Sequence, residues 1–124
     1  MTTTQKSIPV VRIKIAAEGP ARRDDDDRPL IGYRDGLSTT ELWERGRQAW
    51  KLKAEKVLAA ELLVIAHAGI IRAVGTIEGV TKVGDRLAIT GTPFDKHPLI
   101  GQPDPLHNSS QNPITYGSIR IDAA

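Results

Sequence analysis

The segment Leu62 to Glu78 constrains the fold of this chain more than any other. Leu62 to Ala66 is a short apolar run, and His67-Ala68-Gly69 supplies a turn with a glycine free to take positive φ. Ile70 to Glu78 then alternates, with Ile71, Ala73, Gly75 and Ile77 on the inward side and Arg72, Thr76 and Glu78 on the outward side. Two strand-like runs a tight turn apart predict an antiparallel hairpin with one face on a core.

Other segments supply its neighbours. Ile8 to Ile15 reads as a half-buried strand, with Val11, Ile13 and Ile15 on one side and Val10, Arg12 and Lys14 on the other. Arg86 to Thr90 is a further strand with Leu87 and Ile89 inward, and Ile114 to Asp122 is the last, with Ile119 and Ile121 on one face. Gly36 and Ser38 introduce the main helix, because Ser38 and Glu41 have capping-box spacing. From Thr39 to Trp50, one helical face collects Leu42, Trp43, Gly46, Ala49 and Trp50. Gly46 costs roughly 1 kcal/mol against alanine in a helix, so its presence there predicts a close approach of another backbone. Residues 53–60 add a further helical turn or two. Residues 91–113 hold five prolines and little periodicity, which reads as an irregular functional excursion. The predicted fold class is α+β: a small twisted or barrel-like sheet with one main helix packed against it.

Composition sets the outer bounds. A chain of 124 residues is one domain, 1–124, able to bury about 65% of its unfolded surface without staples. Residues 1–7 are expected to be flexible, and 18–29 to form an exposed acidic loop around Asp24 to Asp27. That aspartate run lacks the carbonyls and closing glutamate of a shaped cation loop, so no metal is assigned to it. With no cysteine, disulfides and thiolate metal sites are excluded. No apolar run approaches the ~18 residues of a membrane span, and the polar start Met1 to Lys6 is no signal peptide. The expectation is a cytoplasmic protein with no membrane partner. The formal charge is +2, unevenly spread: within residues 45–56, Arg45, Arg47, Lys51, Lys53 and Lys56 face Glu55. Such a patch attracts phosphate, and it reads equally as a solvated helix surface.

Candidate recognition residues fall in two places. Ser109, Ser110, Gln111 and Asn112, followed by Pro113 and Tyr116, form a run that cannot build a core. Its side chains hydrogen-bond their own turn or the edge of a bound nucleobase. Arg47, Trp50 and Lys51 form the second place: on a continuous helix Arg47 and Trp50 would share a face, offering a stacking plane beside a guanidinium fork. The competing reading is that Trp50 plugs the core with Arg47 across it, and Tyr116 has the same two readings. Arg72 reads as a surface residue unless a loop folds over it.

These segments carry a resemblance. The helix Thr40-Glu41-Leu42 through Arg47 to Trp50, the strand Gly69-Ile70-Ile71-Arg72-Ala73-Val74, Leu99-Ile100-Gly101 and the loop Ser109 to Tyr116 resemble a family of small bacterial and phage proteins. That family shares an S-S-Q-N-P-[VI]-x-Y loop, and its pattern covers roughly residues 30–117 here. The arrangement is also similar to the PUA-like superfamily, which includes ASCH and EVE domains. The resemblance implies a small barrel, with a ligand pocket between barrel and helix, that binds RNA or reads modified bases.

Enzyme readings fare poorly. His67, His97 and His107 lack metal-ligand spacing with carboxylates. His107 lies too close in sequence to Ser109 and Ser110 to act as their base in a loop, and no nucleophile elbow is present. Gly69, Gly75 and Gly79 have the wrong spacing for a phosphate loop. The sequence therefore points to a non-catalytic module that recognises a nucleobase-containing ligand, most plausibly nucleic acid, without cofactor. The alternative is a phage or bacterial interaction protein that sequesters a small nucleotide or inhibits a protein partner. A hydrolase or nuclease is the third reading.

Overall fold

The computed structural model describes residues 4–20, 29–48, 50–108 and 112–123. The elements in chain order are β1 (Thr4–Lys14), β2 (Gly19–Pro20), β3 (Leu30–Ile31), α1 (Thr39–Arg47), α2 (Ala54–Leu58), β4 (Leu62–His67), β5 (Ile70–Thr76), β6 (Gly79–Val83), β7 (Arg86–Thr90) and β8 (Ile114–Ala123). The main sheet has the order β5-β4-β1-β8, with β2-β3 and β6-β7 as separate two-stranded ribbons. β1 runs parallel to β4 and antiparallel to β8. The fold is α+β as expected, but the sheet is open, and the described residues form no closed barrel. β1 also reaches further than expected: Thr4 to Ser7 pair with Arg120 to Ala123 instead of hanging free.

β1 is buried on both faces, which its alternation did not reveal. Val11, Ile13 and Ile15 face a first core with Leu42, Trp43, Val57, Leu63, Ile65, Ala73 and Ile89. Ile8 and Val10 face a second core with Leu62, Val64, Ile71, Val74 and Ile119. The helices and the β6-β7 ribbon cover the first. The proline-rich segment covers the second through Phe94, Leu99, Ile100 and Leu106. Residues 91–108 are thus a packing layer. They also close the free edge of β5: Phe94 donates to the Val74 carbonyl, Ile71 to that of Gln102 and Gly101 to that of Ile71, all within 2.9 Å.

A buried ion pair ties this layer down. Arg12, fully buried on the second face, lies 3.3 Å (Nε to Oδ2) from Asp104, whose side chain is 1% exposed. Its Nη2 also donates to the Leu106 carbonyl at 2.8 Å and to Thr115 Oγ1 at 2.9 Å, and Nη1 to the Pro113 carbonyl at 3.3 Å. Burial lowers the Arg12 pKa and the neighbouring Asp104 charge raises it.

The α1 helix begins as expected. The Ser38 hydroxyl accepts from the Glu41 amide at 3.1 Å, and it donates to the Glu41 carboxylate, which therefore does not reach back to the Ser38 amide. It ends earlier than expected. Gln48 is extended, and Trp50 exchanges two backbone bonds with Leu87 at 2.9 and 3.0 Å. Pairing with β7 outcompetes one more helical turn. Gly46 is buried against Ile65: a Cβ there would lie 2.7 and 2.8 Å from Ile65 Cγ1 and Cγ2. The close approach is real, and its partner is a side chain.

The β4-β5 hairpin closes through Ala68 (φ 52°) and Gly69 (φ 77°), both left-handed, as a two-residue primed turn requires. Its alternation breaks at a point that the order of residues does not mark. Ile65 pairs with Ala73 and Ala66 with Ile71, so Arg72 is an extra residue with no partner in the ladder. This bulge puts Ile71 in the second core and Ala73 in the first, on opposite faces.

Candidate functional site

The residues after α1 and the first half of β8 meet. The Lys53 amide donates to the Tyr116 hydroxyl at 2.9 Å, and Lys56 Nζ sits 5.4 Å from the Tyr116 ring centroid. Trp50, Leu52, Ile114 and Tyr116 all pack on the first core. Around this seam Lys51, Lys53 and Lys56 are exposed, as is Asn112 at the approach to β8. The outcome is a lysine-rich surface beside a half-buried tyrosine ring. Lysine gives mobile point charges suited to phosphate, and the ring gives a flat partner to a base.

The structure redistributes the roles expected within it. Trp50 lies past the end of α1, so it does not share a helical face with Arg47. Its Nε1–H donates to the Gly46 carbonyl at 2.7 Å, capping the helix end. Arg47 closes its fork on Glu44, with Nε to Oε1 at 3.0 Å and Nη2 to Oε2 at 2.6 Å, and its Nη1 donates to the Ile89 carbonyl. Both residues are committed to the fold. Asn112 Oδ1 accepts from the Ile114 amide at 3.0 Å, the local turn bond that was one of its two readings. Ser109, Ser110 and Gln111 lie outside the described residues, as do Asp24 to Asp27.

A second group of polar residues lies at the other end of α1, where the sequence reading places no site. Tyr33 is fixed beside the end of β1 by backbone bonds to Ala16 and Glu18, each 2.8 Å. Its ring stacks on His67 with centroids 4.7 Å apart, and the Arg72 guanidinium carbon lies 4.6 Å from its centroid. His67 Nδ1 donates to the Ile15 carbonyl at 2.8 Å, and the Tyr33 hydroxyl donates to Asp35 at 2.9 Å. Burial, and then that bond to Asp35, push the Tyr33 pKa upward. Nearby, Glu18 binds both Arg45 and Arg34, and these bonds hold its carboxyl below the usual carboxylate range. The sequence signal that could have found Arg72 is a long cationic side chain inside an otherwise apolar alternating strand. The same signal marks Arg12.

Among the described residues, no group of three or more His, Asp or Glu side chains could hold a metal ion. No described helix is long and apolar enough to cross a membrane. No family model, curated protein or solved structure matches the chain.

Proposed function

We propose that this protein is a non-catalytic binding module for a nucleobase-containing ligand, with nucleic acid as the carrier of the base. The observation that supports the reading is the seam between Lys53 and Tyr116, where the exposed Lys51, Lys53 and Lys56 of one segment meet an aromatic ring of β8, which exposed Asn112 precedes. Lys51, Lys53 and Lys56 contact phosphate in this reading, and Tyr116 takes a base face. The resemblance to PUA-like base readers points the same way. The open sheet makes any kinship with those barrels part of the proposal.

The test is fluorescence anisotropy of labelled single- and double-stranded oligonucleotides at low and moderate salt. Binding should fall with salt. Each lysine replaced by glutamine should take about 0.7–0.9 off the slope of log K against log salt. Absence of binding at low salt, or variants with wild-type slopes, would overturn the reading and leave a free nucleotide or a protein as partner.

A further inference from the structure

The bulge in β5 carries Arg72 to the wall of a cleft of about 250 Å3 at the N-terminal end of α1. Thr39, the first residue of α1, and Tyr33 border the cleft, and Leu42, Ile71 and Ile100 supply apolar wall. Bulges commonly re-aim a side chain in this way. Arg72 is held from two directions: its Nε donates to the His67 carbonyl at 3.3 Å and its Nη1 to the Tyr33 hydroxyl at 3.3 Å. Both acceptors are neutral, and no carboxylate among the described residues pairs with Arg72. Asp35, close by, accepts a hydrogen bond from the Tyr33 hydroxyl at 2.9 Å. Nη2 has no hydrogen-bond partner among the described residues.

We infer that this cleft is a binding site for a small carboxylate with a flat apolar body, a site separate from the lysine-rich surface. The guanidinium is oriented before any ligand arrives, and its remaining donors, on Nη1 and Nη2, present the fork that a carboxylate matches end-on. The charged and aromatic groups lining the cleft have donors to give and no free acceptor: Arg72 cannot accept, and the Tyr33 hydroxyl is engaged on both sides. A neutral amide in the same place offers the guanidinium one uncharged oxygen where a carboxylate offers two charged ones, and so makes the weaker pair. The aliphatic walls favour an apolar body and give nothing to a hydrated tetrahedral anion. A cleft of about 250 Å3 has room for a benzoate-sized acid.

The experiment is an NMR titration of the full chain with sodium benzoate, benzamide and inorganic phosphate, read on backbone amides and on arginine Nε–H. Benzoate should shift Ile71, Arg72 and Gly101 saturably, while benzamide and phosphate leave them in place. Arg72→Gln should weaken benzoate by about tenfold or more. Thr39→Phe, which fills the cleft but keeps the cation, should weaken it comparably. Neither variant should alter oligonucleotide anisotropy, so this inference and the proposed function fail separately. The inference is overturned if benzoate does not saturate, if benzamide or phosphate binds as well, or if Thr39→Phe leaves benzoate affinity unchanged. That last result decides the matter even if Arg72→Gln disturbs the fold.

Discussion

Replacing Asp104 by asparagine tests how the proline-rich layer is held to the sheet. The substitution keeps shape and keeps the Oδ1 bond to the Leu106 amide, which is 2.9 Å long. What it removes is the negative charge 3.3 Å from a fully buried guanidinium. At an effective dielectric of about 20, the gross attraction across that distance is about 5 kcal/mol. Breaking a buried pair from one side costs about 3–5 kcal/mol, because the remaining charge is left uncompensated. Three neutral oxygens stay on Arg12, so the lower end, about 3 kcal/mol, is expected. Urea unfolding followed by tryptophan fluorescence and circular dichroism should show a lower midpoint with an unchanged slope. The effect should barely respond to salt, since the pair is buried. Arg12→Met should cost as much or more, and Arg12→Met with Asp104→Asn should fall at least about 2 kcal/mol short of the summed singles. An Asp104→Asn variant within about 0.5 kcal/mol of wild type, or an additive cycle, would refute the ion pair as the fastening.

Further outcomes can be checked alongside. Gly46→Ala gains about 1 kcal/mol of helix propensity but drives a methyl into Ile65 on a packed strand. Overpacking of about 1–3 kcal/mol should therefore win, giving a net loss in chemical denaturation. Ala68→Asn should raise the melting temperature, with about 0.5–1 kcal/mol gained, because asparagine tolerates the left-handed backbone better than alanine. His97 accepts the Leu99 amide on Nδ1 at 3.1 Å, and burial pulls its pKa below 6.5. The folded state thus binds fewer protons than the unfolded one, so stability is full above the ordinary histidine range and declines as pH falls through it. Amide exchange at Leu99 and Ile100 should quicken over that interval, and His97→Asn should flatten the response.

How much of this was legible depends on whether a residue's partner is near in sequence. The start of α1 could be read because Ser38 and Glu41 are three positions apart, and the β4-β5 turn because Gly69 sits within it. The end of α1 could not, because it is decided by backbone bonds between Trp50 and Leu87, far along the chain. The bulge at Arg72 was hidden for a related reason. Ile71 and Ala73 keep apolar parity in sequence, and only pairing with β4 shows that they face opposite ways. β6 is not legible in sequence because Gly79 to Val83 alternates weakly and owes its place to β7. The 91–108 segment looked functional because it has no period; its bonds go to the edge of β5 and its apolar residues to a sheet face whose other side was already accounted for. Of the expected site, the commitments of Arg47 to Glu44 and Trp50 to Gly46 could not be anticipated.

The interior position of β1 has a consequence for how the protein is made. Its parallel partner begins at Leu62, and Thr115 follows Arg12 by 103 positions. At about 5–20 residues per second, Arg12 waits on the order of 5–20 s for the strand that completes its shell. Until then a cation destined for burial stays hydrated in the middle of an apolar strand. Arg12 therefore becomes a fastening only when β8 is in place.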